Sequence, residues 1–359
     1  MECRINGILY TSLEQMRGEV EEELWLFLQE WYNESSYVIG HTSGSTGLPK
    51  EIRLSKADMR ASAAITNRFF GIRRGSVLLL CLSVSYIAGK MMVVRALEAG
   101  AELVTAEVSS HPLRTVTGAV SRRIDLAAMV PMQVEESLKN DSEKKVLGQI
   151  GHLIVGGAPI AESLEECLKE LPVSCYATYG MTETVSHVAL RKLNCDREYE
   201  ALGDVFFGLD ERGCLIIEAP HLTERRFVTN DLVRLNGKHR FEWLGRVDHV
   251  INSGGIKFFP EQLERKLDRC LPGRFLITSR PDETLGESIA LLLEGENFLP
   301  EELCCLVNRI RPCLERFEMP RWIGVCPLFR ETASGKVVRC IPENTVFYAV
   351  NELSPKKSV

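Results

Sequence analysis

Four short apolar runs, each closed by glycine, proline or a hydroxyl residue and each set apart by enough chain for a helix, restrict this sequence more than any other feature. They lie at 76–83, 126–130, His152–Val155 and 173–178. Apolarity without alternation marks a strand covered on both faces, as in the parallel sheets of α/β proteins. Helical patterns at Lys56–Phe70, 91–97 and 160–171 fall between them. The expectation is an α/β fold: a large domain, residues 1–247, of parallel-rich sheets with flanking helices. Residues 1 to 35 place Trp25, Phe27, Trp31 and Tyr32 at the spacing of an amphipathic helix, with no chemistry legible there. From residue 248 the pattern changes to α+β, with helices expected at 260–271 and 300–314 and strands at 274–279 and 288–293. That makes 248–359 a second, small domain.

The run His41 to Lys50 concentrates a different chemistry. Gly44 and Gly47 let backbone N–H groups turn into a concave cradle, Thr42, Ser43, Ser45 and Thr46 add hydroxyls, and Lys50 brings a mobile positive charge. Such a set suits phosphate, although a solvated Gly/Ser loop has the same composition. The Walker pattern is disfavoured, because Gly47 is followed by Leu48-Pro49-Lys50-Glu51 rather than Lys-Ser/Thr.

Further motifs follow in order. The strand at His152–Val155 ends in Gly156-Gly157-Ala158-Pro159, bare backbone at the carboxyl end of a parallel strand, where open α/β sheets bind ligands. Next come Tyr179-Gly180-Met181-Thr182-Glu183, Phe227-Val228-Thr229-Asn230-Asp231, and Trp243-Leu244-Gly245-Arg246-Val247-Asp248 with Gly254 and Gly255 beyond it. The last is Arg330-Glu331-Thr332-Ala333-Ser334-Gly335-Lys336. Together with the run ending at Lys50, these motifs resemble those of the adenylate-forming superfamily, which holds acyl-CoA synthetases, luciferases and peptide-synthetase adenylation domains.

The resemblance implies ATP, Mg²⁺ and coenzyme A as cofactors and co-substrates. It implies that Gly156 to Pro159 lie against adenine, that Tyr179 offers its ring to the base, and that Thr182 meets phosphate. Glu183 would be the metal ligand, Asp231 would accept the ribose hydroxyls and Arg246 would contact ribose or phosphate. By the same likeness Asp248 is the pivot of a mobile lid, Gly254 and Gly255 open a channel for CoA, and Lys336 is the catalytic lysine. Asn230 stands where the superfamily has glycine, and because Asn tolerates positive φ a turn is expected there. The superfamily carries a longer segment before its phosphate loop, so the first subdomain here reads as truncated.

For the acid, Ser85-Tyr86-Ile87-Ala88-Gly89-Lys90 resembles the wall of an acyl pocket, with Tyr86 and Gly89 as its markers. Tyr86 could equally be a core tyrosine capping a strand. Arg95 is expensive to bury without a partner. It is the candidate reader of a second carboxylate, with Lys90 and Ser186 as the next candidates and a surface pair with Glu98 or Glu102 as the structural alternative. Among the branches, the chain length and the runs around Gly156 and Tyr179 resemble most the o-succinylbenzoate:CoA ligases. Another aryl- or short-chain acyl-CoA ligase, an adenylation domain and a non-catalytic nucleotide-binding relative are the alternatives.

Composition bears on partners. A net charge of −6 with no basic run beyond Lys356-Lys357 argues against nucleic acid. The longest apolar run falls far short of the roughly 20 residues of a membrane span. No basic and apolar leader opens the sequence. Twelve cysteines without a C-x-x-C suggest neither a zinc site nor a disulfide framework, and fit a cytoplasmic protein. The expected partners are a small carboxylic acid, ATP and CoA, with a homodimer as one open form of assembly.

Overall fold

The structure, a computed structural model, describes residues 1–41, 51–116, 123–193, 195–271, 273–296, 298–331 and 337–353. It is an α/β fold built on one 13-stranded mixed sheet. Six of those strands run parallel, in the spatial order Cys3–Ile5, Glu102–Thr105, Val77–Leu80, Leu126–Met129, His152–Val155, Ser174–Gly180. Alternate residues feed the cores on the two faces: Leu78, Leu80, Leu126 and Ala128 on one, Val77, Leu79, Ala127 and Met129 on the other. Burial on both faces is why these strands read as continuous apolar runs.

The helices have local causes. Lys56–Phe70 starts at Ser55, whose hydroxyl accepts from the Asp58 amide, and stops at Gly71, whose φ of 68° closes the last turn. Ile87–Ala99, longer at both ends than the expected 91–97, stops the same way at Gly100, φ 59°. The helix expected at 160–171 is observed as Glu162–Lys169.

Two stretches depart from expectation. Residues 1 to 10 form a hairpin, Cys3–Ile5 with Ile8–Tyr10, whose first strand extends the parallel sheet beside Glu102–Thr105. Strands of three residues are too short to show a period. The helix Glu22–Tyr32 follows, burying Leu24, Phe27, Leu28 and Trp31 as its amphipathic pattern requires. Beyond Gly180 the sheet continues antiparallel through His187–Lys192, Tyr199–Ala201, Arg240–Arg246, Arg226–Asn236, Cys214–Glu218 and Phe206–Leu209.

From Ile251 onward six strands make a separate sheet with its own core, covered by the helices Pro260–Leu267 and Pro300–Ile310. Its opening hairpin turns on Gly254 and Gly255, both at positive φ (60° and 82°), between Ile251–Ser253 and Ile256–Phe258. Contrary to the cysteine reading, Cys270 and Cys313 are joined as a disulfide across 43 residues. A pair so far apart leaves no spacing signature. Among the described residues no helix is long and apolar enough to cross a membrane.

Candidate active site

The parallel strands reverse their spatial order at Val77–Leu80, which has Glu102–Thr105 on one side and Leu126–Met129 on the other. Ligand crevices form at the carboxyl ends of strands beside such a switch. Gln133 ties its two lips together: Nε2 donates to the carbonyls of Cys81 and Ser109, both at 3.0 Å, and Oε1 accepts from the Val130 amide at 3.2 Å. Gly89, in the helix at the crevice edge, lies so close to the preceding loop that a Cβ there would stand 2.2 Å from the Ser83 carbonyl oxygen. Tyr86, the residue before that helix, is 45% exposed.

The glycines of the neighbouring strand ends act similarly. A Cβ on Gly156 would meet Thr178 Oγ1 at 2.1 Å, and one on Gly180 the Ser186 carbonyl oxygen at 2.4 Å. Gly157 has φ 86°, and with Ala158 and Pro159 it is exposed. The strand Ser174–Gly180 is followed by a 3-10 turn, Thr182–Thr184, which carries Glu183 outward with no hydrogen bond or ion pair among the described residues. Thr184 secures the turn: Oγ1 accepts from the Met181 amide at 3.0 Å and faces the carbonyls of Met181 and Ser186. Val185 then adopts φ 54°, ψ −28°, and the Ser186 amide donates back to Thr184 O at 2.6 Å. A β-branched residue in this γ-turn stores strain of order 1–3 kcal/mol. It aims Ser186 inward.

Two clusters result. In the first, Asp231 is fixed from two sides, accepting from the Tyr179 hydroxyl at 2.6 Å and from Trp243 Nε1 at 3.1 Å. Burial, then the Asp231 charge, push the Tyr179 phenol well above its ordinary range, so it stays a donor. The Tyr179 ring packs edge-on against Phe241 at 4.9 Å. Asn230 does not take positive φ: it lies in the continuous strand Arg226–Asn236, and its side chain is used instead. Oδ1 accepts from Arg212 at 3.0 Å, and Nδ2 donates to both Asp248 oxygens at 3.3 Å. Arg246 pairs with Asp248 at 2.7 Å and holds its carboxyl below the usual carboxylate range.

In the second cluster, Arg95 is 2% exposed and has no carboxylate partner among the described residues. Nη2 donates to Ser186 Oγ at 2.5 Å, Nη1 meets the Met92 sulfur at 3.5 Å, and Nε has no partner. Burial lowers its guanidinium to about 9. The surface alternative, a pair with Glu98 or Glu102, is not what forms, since Arg95 is buried. Lys90 turns away to Glu30 at 3.5 Å and sits over the Phe27 ring.

Thr42, Ser43, Gly44, Ser45, Thr46, Gly47 and Lys50 lie outside the described residues, as does Lys336. The paired strands Tyr37–His41 and Glu51–Ser55 flank the first of these runs. Trp243 as a partner of Asp231, Asn230 as a partner of Asp248, and His187 beside Ser186 were not read from sequence. Trp243 lies 12 residues from Asp231, Asn230 lies 18 from Asp248, and His187 lies 121 from the Thr66 that holds its other ring nitrogen, and no local pattern carries that.

The model of the AMP-binding enzyme family matches residues 12–210. Two 2-succinylbenzoate–CoA ligases of Bacillus cereus are similar to this chain. One is 25% identical over 291 residues, 72% of this chain and 59% of its own length. The other is 24% identical over 364 residues, 92% of this chain and 74% of its own length. An acyl-CoA synthetase (AMP-forming)/AMP-acid ligase II-like protein from Dyadobacter fermentans is 35% identical, with 88% of this chain and 91% of that one covered at a TM-score of 0.59. The fold is also that of an o-succinylbenzoate coenzyme A synthetase from Bacillus subtilis solved with ATP and magnesium ion. That likeness has a TM-score of 0.71 at 19% identity, over 84% of this chain and 68% of that one.

Proposed function

The chain belongs to the AMP-binding enzyme family, and from that premise we propose that it is an ATP-dependent acid:CoA ligase acting on a dicarboxylic aryl acid, with o-succinylbenzoate as the best candidate. On this reading a carboxylate oxygen of the acid attacks the α-phosphorus of ATP, the bond to pyrophosphate breaks and an acyl-adenylate forms. The CoA sulfur then attacks the acyl carbon and AMP leaves. Both steps bring negative groups together, so positioned charge and orientation matter more than proton transfer.

The chain's own residues suit these tasks. Asp231, immobilised by Tyr179 and Trp243, retains carboxylate lone pairs for the ribose hydroxyls. Gly156 and Gly180 let Thr178 and the Ser186 backbone pack tightly against the strand ends, and exposed Gly157, Ala158 and Pro159 offer backbone to a nucleotide. Glu183, exposed and unengaged among the described residues, fits a hard oxygen ligand for Mg²⁺, which when bound would draw charge from the phosphates. Lys50 and Lys336 are assigned to the pyrophosphate and to the reacting carboxylate by resemblance. Residues 1–247 would form the catalytic body, and 248–359 a lid that pivots at Asp248 to exchange Lys336 for the Gly254-Gly255 turn. A cytoplasmic location accords with ATP and CoA as substrates.

The observation that carries the choice of acid is Arg95, a buried guanidinium with no carboxylate partner among the described residues, hydrogen-bonded to a serine three residues past Glu183. Planar guanidinium suits a carboxylate better than ammonium does. Pyrophosphate release with and without candidate acids tests the activity. Arg95→Ala should lower kcat/KM for the dicarboxylate by more than about tenfold and leave an analogue lacking the ring carboxylate nearly unchanged. Equal losses on both acids would remove Arg95 as the reader.

A further inference from the structure

His187 opens the strand His187–Lys192 and is buried between two hydroxyls: Thr66 Oγ1 lies 3.1 Å from Nε2, and Ser186 Oγ 3.5 Å from Nδ1. A neutral imidazole has one donor nitrogen and one acceptor nitrogen, and the neighbours decide which is which. Thr66 directs its single proton to the Ser62 carbonyl, 3.1 Å away and one turn back along the same helix. Towards Nε2 it can therefore only accept, so Nε2 carries the ring proton. Nδ1 is then a bare lone pair facing Ser186.

The other end of the chain gives the same answer. Ser186 Oγ already accepts from Arg95 Nη2 at 2.5 Å, which polarises the hydroxyl and directs its proton to Nδ1. An Nδ1–H would instead crowd a second donor onto that oxygen beside a positive charge. Donation thus runs in one sense from Arg95 through Ser186, His187 and Thr66 to the Ser62 carbonyl. Burial, then the Arg95 charge, push the imidazolium well below its usual range, so the imidazole is neutral. A carboxylate in the same place would have cancelled the guanidinium.

We propose that His187 is a positioning residue for acid recognition: held by Thr66 as the Nε2–H tautomer, it orients Ser186 and through it Arg95, leaving the guanidinium charge for the substrate's second carboxylate. The role rests on the acid:CoA ligase reading above, and it concerns a residue that touches Arg95 only through Ser186.

The test combines long-range ¹H–¹⁵N spectra of histidine-labelled protein with the ratio of kcat/KM for an acid bearing the second carboxylate to that for the same acid without it. The wild type should show His187 protonated at Nε2. Thr66→Val should shift the ring towards Nδ1–H and lower the ratio about five- to tenfold, the order expected when a buried donor loses its acceptor. Thr66→Ser should restore both. Thr66→Ala, which also removes the hydroxyl, is read in the same way should the valine variant not fold. An Nδ1–H tautomer in active wild type, or a moved tautomer with an unmoved ratio, overturns the role alone. Wild-type protein that releases no pyrophosphate with any acid overturns the ligase reading and this role with it.

Discussion

Arg95→Met should make the free protein more stable while blinding it to the second carboxylate. The side chain is 2% exposed, Nε is unsatisfied, and Nη1 has only a thioether sulfur, a weak acceptor. Burial lowers the guanidinium from its ordinary range to about 9, which corresponds to about 5 kcal/mol against the charged form. Because the folded value lies below the unfolded one, the unfolded chain holds the proton more tightly. The penalty is complete below pH 9 and relieved only as pH rises from there towards the unfolded value, so at neutral pH it acts in full. Opposing it, the hydrogen bond to Ser186 contributes about 1.5–3 kcal/mol, as bonds from charged groups do. Methionine keeps most of the packing volume. The net expectation is a gain of about 2–3.5 kcal/mol, within the range for replacing buried ions by hydrophobic side chains. Urea unfolding at pH 7.5 reads it as a higher midpoint at unchanged slope. Saturating dicarboxylate should raise the wild-type midpoint and leave that of Arg95→Met where it is. A midpoint below wild type at equal slope would mean that the guanidinium is a net support of the fold, and the argument that its charge waits for a ligand would fail.

Lys336→Ala should nearly abolish acyl-adenylate formation yet spare thioester formation from pre-made acyl-AMP, and equal loss in the two half-reactions would reject the role. Asp248→Pro should fix one φ and separate the half-reactions in the other sense, adenylation persisting while CoA transfer fails; rapid-quench assays of each step decide it. Gly89→Ala drives a Cβ to 2.2 Å from a backbone oxygen, so it should destabilise by about 1–3 kcal/mol and raise KM for the acid. A thermal midpoint equal to wild type would show that the helix can move away from Ser83.

What was legible in the sequence divides along physical lines. The doubly buried strands announced themselves because both faces need apolar residues, and the helix at Lys56–Phe70 because Ser55 and Gly71 bracket it. Tyr179, Asp231, Ser186 and Arg95 were legible as candidates through the motifs that hold them and, for Arg95, through the cost of burying it. Their partners could not be named. Trp243 reaches Asp231 only after strands 226–236 and 240–246 have paired in register, and His187 reaches Thr66 across 121 residues. Asn230 shows the limit of reasoning by resemblance. The glycine it replaces suggested a turn, whereas the strand ladder keeps ordinary φ and turns the added side chain towards Asp248. Cys270 and Cys313 meet only once the chain has closed a loop of 43 residues.

The register that sets Arg4 and Ile5 beside Glu102 and Leu103 orders assembly in time as well as in space. The strand Cys3–Ile5 emerges before its template, which lies about a hundred residues further on, and closing a loop of that length is entropically slow compared with local pairing. The template must itself first settle against Val77–Leu80. Growth of this sheet should therefore proceed outward from its middle, with the residue 1–10 hairpin arriving last at one end. Joined to the sheet by one short ladder and the Asn6 hydrogen bonds to Leu103 and Thr105, and exposing Ile8 and Leu9, that hairpin should be the first part to exchange its amide protons and the first to open under a denaturant too mild to disturb the rest.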